Sequence, residues 1–150
     1  MNASSPQPAA RRPRQRGNRD CVVAAFREVT GEDERTANHR FKQRRAGRDG
    51  FTMADLSACF MEAGWMMVAD GRVIPQREPA FSMFWKGFTG LGILQYSVDG
   101  TGPGHVVVVR SGGLVFDPAL TAPEEGEFIA DHLKQYQGQI IFSLSTVFRP

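Results

Sequence analysis

The spacing of apolar residues along the chain changes from helical to alternating near Gly90. Before this point, apolar positions recur every three or four residues, which predicts amphipathic helices. We expect them over residues 21–30, about 31–45, 52–64 and 80–87, with a short strand at 65–68. In the third helix we expect Met53, Leu56, Phe60 and Met61 to be buried, with Cys59 beside this face as a core residue.

After Gly90, runs of β-branched and aromatic residues are separated by turn residues, a pattern that is typical of strands. The predicted strands cover residues 91–98, 105–110, 114–117 and 139–148. A helix or loop containing Phe128, Ile129, His132 and Leu133 precedes the last of them. Helices followed by strands indicate an α+β domain with an antiparallel sheet.

Composition and length restrict the class of protein further. A chain of 150 residues that is 41% hydrophobic and 23% charged suits one soluble domain with a core. Its two cysteines both lie in core-like helical patterns, so we expect a reducing compartment and no disulfide framework. No apolar run is long enough for a membrane span or a signal peptide. The expected location is the cytoplasm, or a virion assembled there.

The first 14 residues differ in composition from the rest. They are rich in Ser, Pro, Ala and Arg and show no periodicity, so we expect a flexible arm at 1–14 and a folded domain at 15–150. The arm is basic, and its charge is extended by arginines and lysine at positions 16, 19, 40, 42, 44, 45 and 48. Such an arm can bind a protein partner or nucleic acid, or can simply be a solvated tail.

Cys21 is the first candidate for chemistry, because it lies where the first predicted helix begins. Asp20 suits the N-cap of this helix, and Gly31 suits its C-terminal stop. The unpaired N–H groups and the dipole at a helix N-terminus favour a thiolate, which is nucleophilic when a base reaches it. The alternative is a small apolar residue that starts a core helix, since free cysteines are often buried.

A predicted β-hairpin supplies His105, and the length of its loop decides what lies beside this histidine. A two-residue turn at 112–113 would point Asp117 away from His105. A three-residue loop at 111–113 would place Asp117 opposite Val107, on the face of His105 and diagonal to it. We predict the longer loop, because a glycine suits the left-handed conformation of its third position. His105 is then a candidate general base oriented by Asp117; a histidine that only ends a strand is the alternative.

These segments together resemble the papain-like cysteine peptidases, especially compact bacterial and phage members near the bacteriocin-leader peptidases. In that superfamily a cysteine opens the central helix, and a histidine begins a later strand in a Gly-His-Val-Val-like segment. An Asp or Asn on the neighbouring strand orients the histidine. Residues 20–25 (DCVVAA), 104–108 (GHVVV) and 115–118 (VFDP) match in that order. Val22 departs from the pattern, which often has Gly or an aromatic residue after the cysteine.

The resemblance implies a papain-like fold and a thiol hydrolase that cleaves a peptide, isopeptide or other amide bond. Cys21 would attack the carbonyl of a peptide or protein substrate, His105 would accept and return the proton, and Asp117 would orient His105. The family also places a glutamine six residues before the cysteine. Gln15 would therefore hold the oxyanion together with the Cys21 N–H, with Asn18 as the fallback donor.

Two other functions are compatible with the same residues. A papain-like fold without activity could serve as a structural or docking protein, for instance in a bacteriophage particle, with the basic arm binding a partner. The arm could instead bind nucleic acid, with a steep dependence of affinity on salt. No metal or cofactor is expected, because no spacing of His, Cys and Asp forms a ligand set.

Overall fold

A computed structural model describes residues 21–44, 51–96, 105–117, 126–134 and 141–150 of the chain. The helices in these ranges are α1 (Cys21–Thr30), α2 (Glu34–Lys42), α3 (Met53–Glu62), α4 (Ala80–Lys86) and α5 (Ile129–Leu133). The strands are β1 (Met66–Ala69), β2 (Leu91–Tyr96), β3 (His105–Arg110), β4 (Leu114–Phe116), β5 (Glu127–Phe128) and β6 (Ile141–Phe148). None of these helices has the length and apolar character needed to cross a membrane.

Short-range signals place the ends of the first three helices. Gly31 follows α1 with a φ of 76°, and its N–H donates to the carbonyl of Arg27 at 2.9 Å. Asp33 caps α2 by accepting a backbone N–H at 2.7 Å. Thr52 and Asp55 form a reciprocal capping box at the start of α3. Each contact satisfies a backbone group that the helix itself leaves unpaired.

The strands of the described residues form one antiparallel sheet in the order β1-β6-β2-β3-β4-β5. In the β3–β4 hairpin, Arg110 pairs with Leu114, which leaves a loop of three residues at 111–113. The predicted loop length is therefore confirmed, and Gly113 at its third position has a φ of 77°. Because the side-chain period of a strand is two, this register puts Asp117 on the face of His105.

Helices cover both faces of the sheet, and β3 is buried from both sides. Val106 and Val108 belong to a core formed with α1, α2 and α3. Val107 and Val109 belong to a second core, formed with α4 and α5. A strand buried on both faces needs apolar residues at successive positions rather than alternate ones. The run of four valines in β3 meets this requirement.

Two expectations about the surface are wrong in detail. Met61 was expected in the core but is 62% exposed, because it follows the fully buried Phe60 on α3 and points about 100° away around the helix. Arg40 and Arg44, expected to extend the basic arm, instead form ion pairs with Glu62, and Arg40 also pairs with Glu32. Their charge is thus balanced within the domain. The arm itself and its boundary at residue 14 lie outside the described residues.

Candidate active site

The structure brings together three of the four predicted site residues at one end of the sheet. Cys21 is the first residue of α1, His105 is the first residue of β3, and Asp117 directly follows β4. All three side chains are buried. The fourth residue, Gln15, lies outside the described residues, as do Asn18 and the predicted N-cap Asp20.

The alignment of α1 with β3 explains why Cys21 reaches His105. The two elements run in the same direction, with Cys21 beside His105 at one end and Glu28 beside Arg110 at the other. Arg110 Nη2 lies 3.2 Å from Glu28 Oε2 and 3.3 Å from its carbonyl oxygen. Between these ends, Val22, Ala25 and Phe26 pack in the core that contains Val106 and Val108. Apolar packing and one partly exposed ion pair therefore set how far along the strand the helix lies.

His105 lies between Asp117 and Cys21. Its Nε2 lies 2.6 Å from Asp117 Oδ1, and Cys21 is close enough to raise the pKa of its ring. Because Nε2 faces the carboxylate, Nδ1 is the ring nitrogen that remains for the sulfur. A buried carboxylate that accepts from an imidazole fixes the orientation of the ring. The arrangement can move a proton between a thiol and an imidazole without moving the ring.

The whole structure is similar to the crystal structure of the peptidase domain of Streptococcus ComA, a bi-functional ABC transporter involved in a quorum sensing pathway. The match has a TM-score of 0.59 at 15% sequence identity and covers 87% of this chain and 95% of that domain. The chain has the papain-like peptidase fold. This agrees with the fold expected from the order of the three segments. By sequence, no protein-family model and no curated protein matches the chain.

The surroundings of His105 stabilise its charged form. Burial alone disfavours a charged imidazole, but the hydrogen bonds and negative charges of Asp117 and Cys21 outweigh this effect. They raise the pKa of His105 from 6.5 to about 9. His105 is therefore an imidazolium at neutral pH, paired with the carboxylate on one side and with the sulfur on the other.

Two further side chains that could carry chemistry, Cys59 and His39, lie on α3 and α2. Cys59 is fully buried in the core between α1, α2 and α3, and burial raises the pKa of its thiol. The prediction that it is a core residue is confirmed. His39 is exposed on α2 and lies 3.3 Å from Gln43. In the part of the chain that the structure describes, no cluster of three or more His, Cys, Asp and Glu side chains could hold a metal ion.

Sequence reasoning missed two buried polar residues next to the site, Tyr96 and His132. His132 Nε2 lies 2.7 Å from the Tyr96 hydroxyl and 3.5 Å from Asp117 Oδ2. A signal for His132 was present in the sequence, because it stands three residues after Ile129 and next to Leu133, on the apolar face of a short helix. Nothing local pointed from His132 to Asp117.

The raised pKa of His105 predicts how stability depends on pH. A group with a raised folded-state pKa contributes its full stabilisation below the unfolded value, here 6.5, and loses it as the pH rises through about 9. The rise corresponds to about 3 kcal/mol. We therefore expect the free energy of unfolding, measured with urea, to fall between pH 6.5 and 9, with a shallower slope in Asp117→Asn. An equal slope in the two proteins would show that the pair does not stabilise the imidazolium.

Proposed function

We propose that this protein is a thiol hydrolase that cleaves a peptide bond or another amide bond, with Cys21 as nucleophile, His105 as general acid and base, and Asp117 as the group that orients His105. The observation that supports the proposal best is the buried hydrogen bond between Asp117 and His105, with Cys21 beside His105 at the N-terminus of α1. An imidazole that is oriented by a carboxylate and lies beside a cysteine can take the proton of the thiol and leave a nucleophilic thiolate.

In the first half of the proposed reaction, the proton of the Cys21 thiol passes to His105, and the resulting thiolate forms a bond to the carbonyl carbon of the substrate. The carbonyl oxygen becomes an oxyanion, and the imidazolium of His105 then donates its proton to the amide nitrogen. The C–N bond breaks, the amine leaves, and a thioester remains on Cys21. A pKa of about 9 keeps His105 able to supply this proton at neutral pH.

In the second half, the oxygen of a water molecule attacks the carbonyl carbon of the thioester, and the now neutral His105 accepts a proton from this water. The C–S bond breaks, the carboxylic acid leaves, and the thiolate–imidazolium pair is restored. The oxyanion of both steps needs hydrogen-bond donors. The N–H of Cys21 belongs to the first turn of α1, where backbone donors have no partner within the helix. We propose the side chain of Gln15 as the second donor.

The proposal predicts a difference in reactivity between the two cysteines. At pH 7, iodoacetamide should modify Cys21 about tenfold faster than Cys59 or more, because His105 can accept the proton of Cys21, whereas Cys59 is fully buried and burial raises the pKa of its thiol. Peptide mapping by mass spectrometry after timed quenching separates the two rates in one sample, so Cys59 serves as the internal reference. His105→Ala should slow the modification of Cys21 and leave that of Cys59 unchanged.

His39→Ala is the matched control, since it removes an exposed histidine from the same protein. It should alter neither rate. Equal rates at Cys21 and Cys59, or a Cys21 rate that does not depend on His105, would contradict the proposed pair. The labelled and unlabelled proteins should then be compared on a library of short fluorogenic peptide amides, where loss of turnover in proportion to Cys21 labelling would connect the thiol to hydrolysis.

A further inference from the structure

A second buried histidine lies behind Asp117, on the side away from Cys21. His132 is 1% exposed and belongs to α5, whose apolar residues Ile129 and Leu133 pack in the second core. Its Nε2 is 3.5 Å from Oδ2 of Asp117, while Oδ1 of the same carboxylate is 2.6 Å from Nε2 of His105. The two oxygens of Asp117 thus face two different imidazoles.

Tyr96 connects the two histidines. It is fully buried at the end of β2, directly opposite His105 in the sheet. Its ring stands nearly perpendicular to both imidazoles, at 87° in each case, with centroid distances of 5.6 Å to His105 and 5.8 Å to His132. Its hydroxyl lies 2.7 Å from His132 Nε2. In either tautomer of His132, one of these two groups donates to the other, so the hydrogen bond fixes the second imidazole in place.

This polar cluster lies in a core that apolar residues could fill at lower cost. Burying a hydroxyl and an imidazole loses their hydration, and the hydrogen bond between them recovers only part of it. Burial lowers the pKa of His132, although the negative charges of Asp117 and Glu127 oppose this. Glu127 Oε1 lies 3.5 Å from His132 Nδ1. Burial thus favours the neutral form of His132, whereas the surroundings of His105 favour its charged form.

We propose that Tyr96 and His132 are positioning residues that hold the carboxylate of Asp117 against the ring of His105. Tyr96 fixes His132 through its hydroxyl, His132 lies against Oδ2, and Oδ1 is thereby kept on His105 Nε2. The proposal rests on the proposed function, because only a general acid and base needs its ring held in this way.

Tyr96→Phe tests the proposal, since it removes the hydroxyl and leaves the ring packed on both histidines. NMR of ¹⁵N-labelled histidine rings in the full chain should follow the titration of His105 from pH 6 to 10. We expect its midpoint to fall from about 9 to about 8, because a less well-held carboxylate stabilises the imidazolium less. With a hydrolysed fluorogenic peptide amide as probe, kcat should fall about three- to tenfold while KM is unchanged.

Thr30→Val is the matched control. It removes a partly buried hydroxyl at the other end of α1, which donates to the carbonyl of Phe26 at 2.9 Å and accepts from the N–H of Glu32 at 3.2 Å. It should lower the melting temperature without moving the titration of His105. Tyr96→Phe should also have no further effect on that titration in an Asp117→Asn background, because it acts through the carboxylate. His132→Gln is the second variant, and it should move the midpoint in the same direction.

A midpoint that stays at the wild-type value in Tyr96→Phe and His132→Gln would overturn the proposal, as would an equal shift with and without Asp117. The NMR titration uses no substrate. A wild-type protein without hydrolytic activity would therefore contradict the proposed function and leave this measurement decisive. If the enzyme is active but neither Tyr96→Phe nor His132→Gln changes the titration of His105, only the positioning role of Tyr96 and His132 is contradicted.

Discussion

Replacing Cys21 by alanine is expected to lower the rate of peptide-amide hydrolysis by on the order of 10⁴-fold or more, because no other group can form the thioester. The protein should remain folded. Cys21 opens α1, and alanine is the residue best suited to a helix. The measurement is turnover of the fluorogenic peptide amide by the purified variant, with circular dichroism and the melting temperature as checks of the fold.

Cys59→Ala is the matched control for the loss of a thiol. It should keep activity and lose stability, by about 1–2 kcal/mol in the free energy of unfolding, because it leaves a small cavity in a fully buried site. A Cys21→Ala protein that retains a tenth or more of the wild-type activity would rule out this cysteine as the nucleophile. A structural or docking protein, in contrast, would keep its biological role without Cys21.

His105→Ala is expected to cost nearly as much activity as Cys21→Ala, because the thiol and the imidazole act as one unit. Residues that act together in this way are strongly non-additive, so the double variant should be no slower than either single variant. Asp117→Asn should be intermediate: it removes the charge that orients His105 and raises its pKa, but leaves the sulfur and the base in place. Initial rates on one peptide amide, taken for all four proteins, test this order.

His39→Ala should retain full activity, because His39 is exposed on α2 and is none of the proposed catalytic groups. Wild-type turnover in His105→Ala would remove the imidazole from the mechanism. Losses that simply add in the double variant would show that Cys21 and His105 act independently, contrary to the proposed mechanism.

The hairpin of β3 and β4 shows how much of the candidate site is encoded locally. Strand register depends on loop length, and loop length depends on which residues tolerate a positive φ. Two adjacent glycines at 112 and 113 supply that tolerance, with φ values of 84° and 77°. The placement of Asp117 beside His105, 12 residues earlier in the chain, follows from these local preferences. The helix start at Cys21 and the capping box of α3 were predictable for the same reason.

The surroundings of that pair were not encoded locally. Tyr96 and His132 are 36 residues apart. They meet because the side chain of Tyr96, on β2, lies on the face of the sheet that α5 covers. Arg40 and Glu62, on α2 and α3, pair because both helices pack against α1. Periodicity identifies the apolar face of each element, but many pairings of such faces bury similar areas. The choice among them depends on the packing of the whole domain.

The sequence by itself determined the order of α1 to α4 and of β1 to β4 and β6, the residue at which α1 begins, and the hairpin that puts Asp117 on the face of His105. These features depend on spacing, capping and turn residues that lie close together in the chain. Only the tertiary structure decided that Cys21 meets His105, and that Tyr96 and His132 stand behind the carboxylate. Such contacts join elements from distant parts of the chain, and they form because both faces of one sheet must be covered to exclude water from its apolar side chains.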